Sequence, residues 1–206
     1  MQTNIMVCPG DLPANATFPN GYMAVDTETL GLNIKRDRLC VCQVSDGNGN
    51  VWVVTFDGTA YHAPNLKKHL EDKNLLKIFH FGRFDIAVLY HYLGVLTAPV
   101  YCTKIVSKLV RTYTDRHGLK DLCQEMTGIS LDKQQQTSYW AAAELSPAQL
   151  QYAANDVLYL GKIKEALDQR LKDGNRTHLA QACFDFLPTR ALLDLNGWDE
   201  VDIFTH

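Results

Sequence analysis

Tyr22-Met23-Ala24-Val25-Asp26-Thr27-Glu28-Thr29-Leu30 is the stretch from which the fold can be read. A short apolar run leads into two acids separated by one threonine. Side chains two apart on a strand share a face, so Asp26 and Glu28 stand side by side. Two adjacent anions on an apolar strand are costly unless something positive meets them. A hard divalent cation is the simplest candidate. Asp-x-Glu alone also describes an ordinary solvated turn, so the reading depends on what else the chain brings to this point.

Outward from that strand, the turn Phe18-Pro19-Asn20-Gly21 precedes it, and residues 5–8 form an earlier β-prone run ending at Pro9-Gly10-Asp11. Residues 39–45 and 51–56 read as two strands joined by the hairpin turn Asp46-Gly47-Asn48-Gly49-Asn50. Three consecutive antiparallel strands are therefore expected early. Residues 64–72 read as a helix opening on Pro64, 75–80 as a short strand, and 82–93 as a helix with Phe84, Val88 and Tyr92 on one face. Residues 100–103 suit a further short strand, and helices are expected over 104–112, 119–127, 146–172 and 180–186. Ser146-Pro147 supplies an N-cap and first-turn proline for the long one. The expected fold is α/β, a mixed central sheet of about five strands flanked by helices.

The totals suit that fold. At 206 residues, 46% hydrophobic and 21% charged, the chain is expected to form a single domain with one core, about 5–170, followed by a C-terminal helix and tail over 173–206. No apolar run approaches the ~18 residues that span a membrane, and Met1-Gln2-Thr3-Asn4 has no signal-peptide character. A cytoplasmic protein is expected. The six cysteines match no zinc spacing and read as reduced, buried small hydrophobes. A formal net charge of −3 argues against a general polyanion binder without excluding a local nucleic-acid site.

Two further stretches join Asp26 and Glu28. In His80-Phe81-Gly82-Arg83-Phe84-Asp85 a strand gives way to a helix whose first turn carries Asp85. Taken alone, Asp85 is a carboxylate favoured by the helix dipole. In Tyr152-Ala153-Ala154-Asn155-Asp156 the phenol and carboxylate sit at i and i+4 and share a helix face. An ordinary amphipathic face would read similarly, but Ala153, Val157 and Leu160 set this helix against the core.

The order Asp-x-Glu, Phe-Asp after a strand, and Tyr-x-x-x-Asp on a helix resembles the DEDD superfamily of 3′→5′ exonucleases, and most nearly the catalytic domain of ribonuclease D. The resemblance spans about residues 5–170 and includes the run from Asp132-Lys133 to Tyr139-Trp140. The branch is the tyrosine one (DEDDy), because the position that carries histidine in the sibling branch is Gln151. The chain ends before a C-terminal helical domain of the ribonuclease D kind, so it resembles the stand-alone members. The family's Asp-Thr pair near residue 100 is Cys102-Thr103 here.

The resemblance implies a ribonuclease H-like fold and hydrolysis by two Mg²⁺ or Mn²⁺ ions at the 3′ end of single-stranded RNA, releasing nucleoside 5′-monophosphates. Asp26, Glu28, Asp85 and Asp156 would be the metal ligands, and Tyr152 would orient the attacking water. Thr27, Leu30, His80, Phe84, Tyr139 and Trp140 are the implied substrate contacts, with Trp140 equally suited to the core and His80 to a structural role. Lys104, Lys108 and Arg111 recur at helical spacing and suit either a phosphate path or a solvated face. DNA in place of RNA, or a silent nucleic-acid-binding module, are the alternatives.

Overall fold

A computed structural model describes residues 3–132, 135 and 137–206. Lys133, part of the run leading to the third motif, lies outside them. Six strands form one sheet: β1 (Asn4–Pro9), β2 (Tyr22–Thr29), β3 (Leu39–Ser45), β4 (Asn50–Thr55), β5 (Leu76–Phe79) and β6 (Val100–Cys102), ordered β1-β4-β3-β2-β5-β6. The short strand expected over 100–103 is β6, which has three residues and pairs with β5, from Lys77 opposite Val100 to Phe79 opposite Cys102. The expected antiparallel trio is present as β2, β3 and β4. β1 closes one edge parallel to β4, while β5 and β6 extend the other edge parallel to β2.

β2 is therefore where the sheet changes from antiparallel to parallel pairing. Chain leaves β2 and β5 at the same end, so the residues following each strand meet there. Every residue of β3 is buried, as a strand covered on both faces requires. Helix α5 (Pro147–Leu158) packs across β2, β3 and β4, and α6 (Leu160–Asp173) packs on β5, α3 (Thr103–Val110) and α4 (Leu119–Thr127).

The single helix expected over 146–172 is thus two, broken at Tyr159 (φ −102°, ψ −2°). Neither Gly nor Pro breaks it there. The two halves pack on different partners, and Gly161 brings α6 close to β2: a Cβ there would fall 1.9 Å from the Tyr22 hydroxyl oxygen. The helix expected over 180–186 is longer, α7 (Thr177–Leu193), and runs through Pro188. Phe184, Leu187 and Ala191 are buried on either side of that proline, and packing against α2 (Arg83–Leu93) and β6 holds the helix together. Helix α1 (Pro64–Glu71) precedes β5. Five of the cysteines are buried thiols as expected, whereas Cys183 is exposed. Among the described residues no helix is long and apolar enough to cross a membrane.

Candidate active site

Three carboxylates meet above the end of β2. Asp26, Glu28 and Asp156 each direct one oxygen into a cluster whose members all lie within 4.8 Å of one another. Alternation on β2 supplies the first two. The third comes from α5, whose start is fixed by a capping box: Ser146 Oγ accepts from the Gln149 backbone N–H, and the Gln149 side chain accepts from the Ser146 N–H. Gln149 Nε2 also donates to Ser138 Oγ and to the Tyr139 carbonyl, tying the preceding loop to the helix.

Asp85 is held differently. Its Oδ1 accepts from both the Thr27 backbone N–H at 3.0 Å and the Thr27 hydroxyl at 2.7 Å. The residue between the two β2 acids, facing away from them, thus anchors the first turn of α2 behind the cluster. Asp85 is buried and is not one of the three clustered carboxylates.

The electrostatics are those of a site built for positive charge. No Lys or Arg among the described residues forms an ion pair with Asp26, Glu28 or Asp85. Burial, then repulsion from Asp85, Asp156 and Glu28, pushes Asp26 well above the carboxylate range. Burial and the neighbouring Asp156 and Asp85 push Glu28 up to about 9. Burial takes Asp85 up to about 7, against the lowering effect of the Thr27 hydrogen bonds. Such a set of buried, mutually repelling hard oxygen donors fits divalent cations.

Tyr152 lies one helical turn from Asp156, and its phenol hydrogen-bonds that carboxylate. Burial first, then the charges of Asp156, Glu28 and Asp26, raise its pKa far above the ordinary phenol range. Tyr152 is a proton donor in this setting.

Asp26, Thr27, Glu28, His80, Tyr152 and Asp156 line one cavity of about 300 Å³, together with Phe81 and Lys104. His80 Nδ1 lies 2.9 Å from the Thr103 hydroxyl, which itself reaches the Phe79 carbonyl. Four of the other residues expected here stand outside. Leu30 is exposed beyond the bulge that follows Glu28. Phe84 faces a neighbouring cavity. Tyr139 is exposed, and Trp140 is buried, its ring 6.0 Å from that of Tyr152. Trp140 therefore backs the tyrosine from the core side and presents no free face for a base. Of Lys104, Lys108 and Arg111, only Lys104 lines the cavity. Arg111 is buried and engaged with Glu125 through Nε at 3.0 Å and Nη2 at 2.6 Å, so it lines no phosphate path.

One residue at the centre carries no signal in the sequence. Gln43 is fully buried on β3 directly opposite Asp26, and its Nε2 donates to Asp26 Oδ2 at 2.6 Å. Only knowledge of the β2–β3 register singles it out. Lys120, from the start of α4, also joins the cavity wall.

A carboxylate cluster set where a mixed sheet turns from antiparallel to parallel, completed by a helix lying across that sheet, defines a ribonuclease H-like exonuclease of the DEDD superfamily. The family model described as 3′-5′ exonuclease matches residues 12–172, and the chain belongs to that family. Ribonuclease D of Gluconacetobacter diazotrophicus is 30% identical over 155 residues, 75% of this chain but 39% of that protein. The chain thus spans well under half the length of that relative. The structure of Brucella melitensis NrnC is 56% identical and superposes with a TM-score of 0.96 over 98% of both chains. That protein has also been solved bound to pGG and with bound Mg²⁺. Escherichia coli RNase D shares the fold, with a TM-score of 0.78 at 23% identity over 93% of this chain and 51% of that one.

Proposed function

We propose that residues 1–206 form one exonuclease domain that hydrolyses the last phosphodiester bond at the 3′ end of single-stranded RNA, releasing nucleoside 5′-monophosphates. The observation that carries this reading is the triad of Asp26, Glu28 and Asp156 oxygens, mutually within 4.8 Å. Asp26, Glu28 and Asp156 would hold one divalent ion, and Asp26 with Asp85 would support a second. Mg²⁺ or Mn²⁺ bound there would polarise the phosphate and acidify a water molecule. The Mg²⁺-bound state of the Brucella relative supports that choice.

The remaining roles fall to the chain itself. The carboxylates converge on a single point, so the scissile phosphate can be positioned only where they are neutralised. Tyr152, kept protonated by burial and by the surrounding anions, would turn its hydroxyl hydrogen from Asp156 to the attacking water and orient that water without removing its proton. Hydrolysis adds hydroxide to the phosphorus of the terminal nucleotide and a proton to the 3′ oxygen left on the shortened chain. Lys104 and Lys120, on the cavity wall, counter the charge of the incoming backbone. The relative bound to pGG supports an oligonucleotide ligand, and the ribonuclease D relatives favour RNA.

The test is a time course on 5′-labelled single-stranded RNA and matched DNA in Mg²⁺, Mn²⁺ or EDTA. A metal-dependent ladder shortening from the 3′ end of RNA supports the proposal. A faster ladder on DNA reassigns the substrate through the missing 2′-hydroxyl requirement. No ladder on either polymer favours a silent binding module.

A further inference from the structure

The turn between β5 and α2 holds an aromatic residue in an unusual state. Phe81 has φ 68°, the left-handed region that bulky side chains rarely enter. The adjacent Gly82 does not relieve it, because that glycine is needed for space: a Cβ there would lie 2.7 Å from Phe79 Cβ. Backbone strain of this kind persists where the surrounding structure enforces it, and it clusters at active sites and ligand clamps. The Phe81 ring is not aimed at the core. It is 47% exposed, at the rim of the carboxylate cavity. Lys104 Nζ sits over the ring, 4.2 Å from its centroid. Two further cavities, of about 600 and 560 Å³, share the same ring as a wall.

We propose that Phe81 is a substrate-contact residue whose exposed ring stacks on a nucleobase next to the scissile phosphate, while Lys104 fixes the ring and meets the backbone phosphate. The inference rests on the nucleic-acid reading of the site given above. A base is the occupant that an exposed, cation-backed ring beside a phosphodiester-cutting centre suits, since every base has a π-face. Stacking of this kind also tolerates any sequence.

Single-turnover hydrolysis of a 5′-labelled RNA pentamer tests the proposal, with wild type, Phe81→Ala, Phe81→Gly and Phe81→Trp compared at varied enzyme concentration. Matched pentamers lack the base at the last or the next-to-last position. The half-saturating enzyme concentration is expected to rise about 5- to 150-fold in the Ala and Gly variants and to stay near wild type in Phe81→Trp. Phe81→Gly is expected to melt no lower than wild type, because glycine accepts the left-handed backbone. On one of the two abasic pentamers the Phe81→Ala penalty should vanish. Equal half-saturation for Phe81→Ala and wild type, or an undiminished penalty on both abasic pentamers, overturns the proposal while leaving the exonuclease reading intact. A wild-type protein that does not cut the intact pentamer overturns both.

Discussion

Gln43 and Tyr152 show how single side chains set the behaviour of the cluster. The Gln43 amide donates to Asp26 Oδ2 from the neighbouring strand, fixing which oxygen of that carboxylate turns into the cavity. Groups that orient metal ligands typically contribute 10- to 100-fold in metal affinity. Gln43→Leu is therefore expected to weaken Mn²⁺ binding by about that factor, measured calorimetrically, with the Asp26 and Glu28 side chains intact. Tyr152→Phe removes the only hydroxyl on that helix face and should lower kcat on the order of 10²-fold with little change in KM. Because the phenol stays protonated, the wild-type rate should show no loss attributable to Tyr152 ionisation up to about pH 10. The two residues differ in legibility. Tyr152 could be read from its four-residue spacing to Asp156, whereas Gln43 is an unremarked polar residue in an apolar run until β3 is laid against β2. The Thr27 hydrogen bonds to Asp85 join residues 58 apart in sequence, and no local pattern encodes them.

At the level of elements, what the sequence expressed well was local chemistry: alternation in β2, the hairpin turn between β3 and β4, and the Ser146-Pro147 start of α5. What it expressed poorly was anything decided by packing. The break at Tyr159 and the continuation of α7 through Pro188 both run against local signals, because burial of each segment against different neighbours outweighs propensity. Arg111 is the clearest case. Its spacing from Lys104 and Lys108 suggests a basic stripe, but it lies just past the end of α3 and turns inward to Glu125 on α4. Arg170 on α6 joins the same carboxylate at 2.8 Å, so one acid links three helices. Both Arg111 and Tyr113 donate to Glu125, and those bonds hold its carboxyl down to about 2. Glu125→Ala should cost about 2–3 kcal/mol in chemical denaturation, less than the ~3–5 kcal/mol of a fully buried pair because Glu125 is 32% exposed. Lys108→Ala, on the solvent side of α3, should change stability by less than about 0.5 kcal/mol.

Across the whole molecule, the carboxylate centre is a stability cost that the fold carries for the sake of its site. Glu28 titrates near 9 and Asp85 near 7 in the folded chain, with Asp26 also raised, whereas unfolded carboxyls titrate near ~4. Between those limits the folded protein retains protons that the unfolded chain has released, so metal-free stability should fall as pH rises from about 5 to 9. A divalent ion replaces those protons, and at 100 times its Kd should restore about 2.7 kcal/mol. Thermal melts in EDTA and in Mg²⁺ across that pH range would show two curves diverging toward alkaline pH. The central claim, that Asp26, Glu28 and Asp156 form a divalent-ion centre, is tested most directly by titrating Mn²⁺ into wild type and Asp26→Asn by calorimetry at pH 8. Saturable binding to wild type, weakened at least 100-fold in the variant, is the predicted result. Equal binding to both proteins, or none to a folded wild type, would contradict the account.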